Sequence, residues 1–244
     1  MSDLTSLARQ NRLLAALPPG VLQRLEGYLE PVELQTDQVI YHPDAPIKRN
    51  YFLTRGLVSL VKTMKDGRTV EIGAFGREGM TGPDVLFGIV PALLECIVRV
   101  PGTALRLRTD DLLKEADRSP QIRWLIERFV LAIFNQIGQT AACNRLHSLE
   151  QRCARWLLIT DDSVGGDTIP VTHEFLAKLL GAQRAGVTLK LQALEESGLI
   201  RCGRGAMDVL DRRALEASAC ECYRVITTQF DRALMGPARS LLEG

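Results

Sequence analysis

Six cysteines, at positions 96, 143, 153, 202, 220 and 222, and three histidines, at 42, 147 and 173, are the first candidates for chemistry. The cysteines form no CxxC pair and no Cys/His grouping with zinc-finger spacing. Their expected role is that of small, partly buried hydrophobes in a reducing compartment. Cys220-Glu221-Cys222 could be a redox pair, but one intervening residue on an expected helix points the two thiols to different faces. No nucleophile elbow, phosphate loop, HExxH pattern or convincing carboxylate pair is present, which argues against an enzyme. Neither a metal nor a cofactor is expected. Arg184 is a candidate of another kind, because a guanidinium can bridge the O6 and N7 acceptors of guanine. The plainer alternative for it is a phosphate contact or a surface ion pair.

The elements around Arg184 decide between these roles. Thr172 is placed to cap a first helix whose Leu176, Leu179 and Leu180 follow helical spacing. Gly181 follows where a tight turn between two helices needs a left-handed residue. A second helix is expected from about Gln183 to Glu196, with Val187, Leu191 and Leu194 inward and Ala185, Thr188, Leu189 and Gln192 outward. Ser197-Gly198 ends it. Leu199 to Cys202 and Met207 to Leu210 can then pair across Gly203-Arg204-Gly205 as a wing. The outward face is short-chained and nearly free of acid at its N-terminal end, which allows close approach to a major groove. His173, Lys178, Thr188 and Arg204 suit phosphate or groove-edge contacts, with Thr172 and Gln183 beside them. From Lys178 to Arg213 seven Lys/Arg stand against four acids, a modest local excess.

Upstream, Leu4 to Leu29 reads as short helices around Pro18-Pro19-Gly20. From Val32 to Leu107 short β-rich runs alternate with Gly, Pro and Asp, the texture of a sandwich, barrel or roll. Asp66-Gly67 between Leu57–Met64 and Arg68–Ile72 predicts a hairpin with a type I′ turn. Thr109 is a candidate cap for a short helix over Leu112–Ala116. Ser119-Pro120 then opens a long helix to about Leu146. Eleven of the sixteen residues from Ile122 to Ile137 are apolar, on more than one side. One face is expected to pack on the β domain. Ile122, Ile126, Phe129, Ile133 and Ile137 are the expected contacts with a second chain, so that Ile126→Glu or Phe129→Glu would weaken dimerisation. Leu146-His147 is the expected hinge. Ser148 and Gln151 have capping-box spacing for a helix ending at Leu158, before a polar loop over Asp161–Asp167.

With 244 residues, 46% of them hydrophobic and 24% charged, the chain suits two modest domains in a globular protein. A net charge of +1 means that any basic surface must be local. The start of the chain lacks a continuous apolar targeting run, and Phe129–Phe134 is too short to span a bilayer. The expectation is a cytoplasmic protein that does not engage membrane.

The order of parts resembles the Crp/Fnr family, named for the cyclic-AMP receptor protein and the fumarate–nitrate regulator. The likeness covers nearly the whole chain. It rests on Tyr51-Phe52-Leu53-Thr54-Arg55-Gly56-Leu57-Val58, on Asp66-Gly67-Arg68-Thr69-Val70-Glu71, on Gly76-Arg77-Glu78-Gly79-Met80 and on Val171 to Ile200. It implies an α+β fold with an N-terminal β-roll sensor (1–118), a dimerisation helix and hinge (119–147) and a C-terminal winged helix-turn-helix with a helical tail (148–244). It further implies a homodimer on double-stranded DNA, half-sites roughly 34 Å apart, and RNA polymerase as a candidate partner. Where cyclic-nucleotide binders of this family carry a Gly-Glu pair and an Arg-Ser or Arg-Thr pair, this chain has Gly82-Pro83 and Leu94-Glu95. A carboxylate in place of a guanidinium repels a phosphate. Ile137-Gly138 stand where the family's long helix meets the purine and offer no side-chain hydrogen bond. Cyclic AMP in the usual mode is therefore not expected, and the sequence names no effector residues. No cysteine precedes Cys96, so the N-terminal iron–sulfur ligands of the oxygen-sensing branch are missing. Arg184-Ala185 replaces the family's frequent Arg-Glu, so the familiar half-site is not assumed. A nucleotide or other small ligand bound differently in the roll, and a protein–protein interaction module without DNA binding, are the competing readings.

Overall fold

The computed structural model describes residues 3–89, 91–166 and 168–235. The outermost ends of the first and last expected domains, and Asp167 at the end of the expected polar loop, lie outside the described residues. Three short helices, α1 (Asp3–Ala8), α2 (Arg12–Ala15) and α3 (Pro19–Glu26), lead into strands β1 (Glu30–Leu34), β2 (Val39–Tyr41), β3 (Arg49–Thr63), β4 (Thr69–Phe75) and β5 (Glu95–Arg108), with a 3₁₀ turn over Pro83–Phe87. The sheet runs β1-β5-β3-β4, with β2 also on β5, and every pairing is antiparallel.

The alternation of short runs predicts several separate strands where the molecule has two long bent ones. The β3–β5 register shifts between Leu53 and Arg55, between Arg55 and Leu57, and between Leu57 and Val58. Gly56 lies there with φ of +92°, and a Cβ on it would meet the Val100 carbonyl oxygen at 2.7 Å. Gly102 faces it with the Arg55 carbonyl as close. Two glycines opposite one another let the strands bend together, and the sheet curls into a roll without being cut. The hairpin forms as expected, but its turn differs. Gly67 alone has positive φ, Gly67 N–H donates to Met64 O (3.0 Å) and Met64 N–H to Arg68 O (2.8 Å). This is a three-residue loop with a glycine bulge rather than a type I′ turn, because Asp66 stays in the ordinary region and accepts from Arg68 N–H (3.1 Å).

Helix α4 (Thr109–Arg118) is longer than expected and Thr109 does not cap it. Its hydroxyl instead donates to Ile47 O and Asn50 Oδ1, locking the helix to β3. Helix α5 spans Pro120–Leu146. Ile122, Ile126, Phe129 and Ile133 are all buried within this one chain, and Ile137 packs partly buried on the same core. Phe129 stands edge-on to Phe75 of β4 (centroids 5.4 Å) and against Phe230 on its other side (6.1 Å). Gly79 passes so close that a Cβ there would meet the Phe75 and Phe129 rings at 2.6 and 2.7 Å. The expected partner face is therefore the inner face, and the assignment of those five residues to a dimer contact is corrected. The opposite face carries Leu131 (63% exposed), Phe134 (74%), Asn135, Gly138, Ala141, Ala142 and Arg145.

After His147 comes α6 (Leu149–Val164), started by the expected capping box of Ser148 and Gln151. It continues through the expected loop because Asp161 and Asp162 bind Arg212, with Tyr223 Oη donating to Asp162 (2.9 Å). Helices α7 (His173–Leu180) and α8 (Arg184–Glu196), strands β6 (Ile200–Gly203) and β7 (Ala206–Val209), and helices α9 (Arg212–Ser218) and α10 (Cys222–Leu234) complete the fold. Cys220 lies in the turn before α10, and Cys222 is its first residue. Their thiols do not diverge; both are buried in a small cluster with Cys143. No described helix is long and apolar enough to cross a membrane.

Candidate nucleic-acid interface

Thr172 Oγ1 accepts the Phe175 amide (3.1 Å) and so opens α7. Gly181, in the left-handed region at φ of +59°, closes it. Gln183 stands at the N-cap position of α8 without a side-chain cap bond, which leaves its amide exposed. Val187, Leu191 and Leu194 are buried beneath α8 against Trp156, Leu157 and Leu176. That packing fixes what faces outward: Arg184 and Ala185 in the first turn, then Leu189 (65% exposed) and Gln192, with half-buried Thr188 beside them. His173 Nδ1 lies 3.1 Å from Thr188 Oγ1, so the start of α7 is tied to the outer side of α8. The wing turn lies alongside, since a Cβ added to Gly205 would stand 3.9 Å from the Thr172 methyl. Arg204 is exposed at its tip. Thr172, His173, Thr188 and the wing thus gather on one side of the winged helix. Lys178 reaches the neighbourhood of Arg184 through a shared carboxylate.

That carboxylate is Glu174, which a count begun at Lys178 passes over. It lies 3.4 Å from Lys178 Nζ and 3.8 Å from an Arg184 guanidinium nitrogen. The N-terminal end of α8 is therefore not free of acid; the acid comes from α7. All three groups are more than half exposed, so water screens the pairs and they hold the arginine weakly. Other cations of the segment are spent on structure. Arg201 pairs with Asp208 across the wing (2.7 Å), Lys190 with Glu150 (3.5 Å), and Arg212 with the α6 aspartates. Among the described residues Arg204 and Arg213 have no ion pair.

The β-roll meets this unit directly. Leu57, Ala74 and Val100 of the roll share one buried cluster with the helices of the winged domain, and the Arg99 guanidinium lies 5.1 Å from the Phe175 ring. The β3–β4 hairpin tip and the α7–α8 turn flank a cleft of about 670 Å³, lined by Arg68, Val70, Lys178 and Gln183 among others. The hairpin of the roll and the turn that precedes α8 are thus neighbours across one cleft.

Within the roll, the stretches expected to match the family's nucleotide-binding positions are engaged by the chain's own side chains. Gly82 N–H donates to Tyr41 Oη (3.1 Å), and Asn50 Nδ2 donates to Thr81 O and Gly82 O. Burial pushes the neighbouring Cys96 thiol up to about 12, so it stays neutral. Leu94 packs on the core, and Glu95 lies 3.0 Å from His42 at the surface. Where the family's long helix would offer a polar group, Ile137 is packed on the core and Gly138 faces outward. Its neighbour Gln136 turns inward instead, accepting from Ala74 N–H (3.1 Å) and donating to Ala74 O (2.8 Å).

Residues 31–119 match the cyclic nucleotide-binding domain and residues 151–218 the Crp-like helix-turn-helix domain. Among solved structures, FixK2 from Bradyrhizobium japonicum superposes with a TM-score of 0.64 at 17% identity, covering 79% of this chain and 98% of its own. The c-di-GMP responsive global regulator CLP of Xanthomonas campestris gives 0.62 at 19% identity, with coverages of 79% and 99%. A CRP/FNR-family transcriptional regulator from Thermus thermophilus gives 0.60 at 22%, with coverages of 78% and 98%. At such identities the structural likeness is one of fold. No curated protein matches in sequence.

Proposed function

The chain belongs to the Crp/Fnr family of transcription regulators, which are not enzymes, and from that premise we propose that it binds DNA as a homodimer. Each protomer lays α8 in a major groove, with Arg184 reaching base edges and Ala185, Leu189 and Gln192 following the groove. Thr172, His173, Lys178, Gln183, Thr188 and Arg204 set register on the sugar–phosphate backbone. The observation that carries this reading is the outward face of α8: a short-chained strip with an exposed arginine at its start, flanked by the wing and the start of α7.

The pairing surface we propose is the outer stripe of α5. Leu131, Phe134, Gly138, Ala141, Ala142 and Arg145 recur at the three- and four-residue intervals of a two-helix seam. Its small residues would let two helices approach closely, while Phe134 and Leu131 supply apolar area otherwise left in water. RNA polymerase is the partner through which promoter binding would be read out.

Cyclic AMP in the family's usual mode is not the effector in this proposal. Supporting this are the engagement of Glu95 with His42, the packing of half-buried Leu94 against the core and the filling of the space beside Gly82 by Tyr41, Asn50 and Ile47. The test is selection of binding sites from a random DNA library, with and without cyclic nucleotides, followed by titration of the selected duplex. The expected result is a two-fold-related site with half-sites roughly one helical turn apart, unchanged by cyclic AMP. Arg184→Ala should weaken it by about 1–3 kcal/mol and relax one position of the half-site. A monomeric protein that enriches no sequence would overturn the proposal.

A further inference from the structure

Four side chains far apart in sequence converge where α5 ends and α10 begins. Cys143 Sγ and Cys220 Sγ are 3.6 Å apart, Cys222 Sγ lies 3.4 Å from His147 Nδ1, and all four ligand atoms fall within 4.8 Å of one another. The three cysteines are buried and the histidine is half-buried. We propose that Cys143, His147, Cys220 and Cys222 form a binding site for a single four-coordinate thiophilic divalent ion, of which zinc is the fitting chemistry.

The spacing of the atoms is the first argument. With Zn–S of about 2.3 Å and Zn–N of about 2.0–2.1 Å, a tetrahedron has S···S edges of about 3.8 Å and S···N edges of about 3.5 Å. The Cys143–Cys220 and Cys222–His147 separations, 3.6 and 3.4 Å, are edges of that size. An iron–sulfur cluster places several irons between its thiolates and needs the sulfurs spread more widely. Three sulfurs and an imidazole also exclude the hard, oxygen-seeking cations.

The surroundings are the second argument. His147 Nε2 lies 3.2 Å from Glu221 Oε2. A proton held there in that hydrogen bond leaves Nδ1 with its lone pair toward the cysteines, the arrangement that orients metal-binding histidines. Gln139 Nε2 donates to Cys222 Sγ at 3.0 Å, a bond that favours the thiolate. The guanidinium groups of Arg152 and Arg155 bear electrostatically on Cys143, offsetting the net negative charge that three thiolates would leave around a divalent ion. Linear spacing hides the site, because a Cys-x₃-His on one helix meets a Cys-x-Cys more than seventy residues later.

The position gives the site a consequence. His147 ends α5 and adjoins Ser148, the cap of α6, so the ion would pin the joint between the long helix and the winged domain to the start of α10. That consequence rests on the DNA-binding reading; the metal site does not.

The experiment uses the full chain, reduced, freed of metal with a chelator and titrated with zinc in a pH indicator, then with cobalt(II). One ion per chain should bind, releasing thiol protons. The cobalt form should show thiolate-to-metal charge transfer and the strong visible bands of tetrahedral coordination. Glu221→Gln should weaken binding about 10- to 100-fold, Cys143→Ser and Cys222→Ser by more, and Cys96→Ser and Cys202→Ser not at all. The cobalt spectrum of the unaltered chain decides the matter even if a cysteine variant misfolds. A weak octahedral spectrum, a Cys143–Cys220 disulfide that persists in reductant, or full binding by the Cys143→Ser/Cys222→Ser double variant would overturn the proposal. Loss of DNA binding with metal binding intact would count against the DNA reading alone.

Discussion

Glu174 holds two cations that the proposed complex needs. Lys178 and Arg184 both lean on it, and DNA phosphate would have to compete with a carboxylate already in place. Glu174→Gln should therefore tighten DNA binding, by about fivefold at low salt, as one charge removed at roughly 4 Å in water implies. The gain should shrink as salt rises, and fluorescence anisotropy at two ionic strengths will show whether it does. Glu71 presents another isolated balance. Burial raises its carboxyl above the ordinary value, only partly offset by the Ser59 hydroxyl and by the charges of Arg155 and Arg99. The folded chain then holds the Glu71 proton more tightly than the unfolded chain does. Its contribution is most favourable below the ordinary carboxylate pKa and is lost as pH rises through the raised one. Glu71→Gln should raise the urea midpoint at pH 7, with the advantage gone near pH 4, about the ordinary glutamate value. At this scale the sequence was readable where a partner is close in the chain, as with Thr172 and Ser148. It was silent where the partner is remote, as with Arg212 and the α6 aspartates or the gathering of Cys143 with Cys220.

At the scale of elements, α5 is the instructive case. Its many apolar residues predict two buried faces; the structure buries the richer one within its own chain and leaves Leu131 and Phe134 exposed on the other. Three packing partners converge on the buried side, namely the roll, the N-terminal helices and α10, and periodicity cannot say which stripe meets which. Phe129→Ala should cost about 3–5 kcal/mol of folding stability in urea titration. Phe134→Glu should leave the melting curve nearly unchanged and shift the sedimenting species to monomer. Were Phe134→Glu to remain as associated as the parent, the outer stripe would not be the seam. The bend of β3 and β5 is equally local in origin. Gly56→Ala would force a side chain into the left-handed region against the Val100 carbonyl, so a loss of at least about 1 kcal/mol is expected. The two bent strands read as four short ones because glycine is the signal for a turn and for a kink alike.

The whole molecule is less divisible than its sequence suggests. The roll and the winged helix share buried side chains, with Leu57, Ala74 and Val100 of one packed among Trp156, Leu157 and Leu180 of the other. Thermal unfolding should accordingly give a single transition, and two resolved transitions in calorimetry would show that the shared cluster is not cohesive. Helix α10 takes the interlocking further. It follows the wing in the chain but returns to lie on α5, with Ile226, Phe230 and Ala233 in the roll's core, Arg128 bonded to the Ala233 carbonyl, and Asp231 paired with Arg12 of α2 at 2.6 Å. Whoever grafts a relative's DNA specificity onto this chain must make two splices instead of one: an entry near Ser148 and an exit near Ala219, leaving the native tail where it clasps the body. A hybrid cut once would import a foreign tail under Phe129, and its failure to express would say nothing about the operator it was built to read.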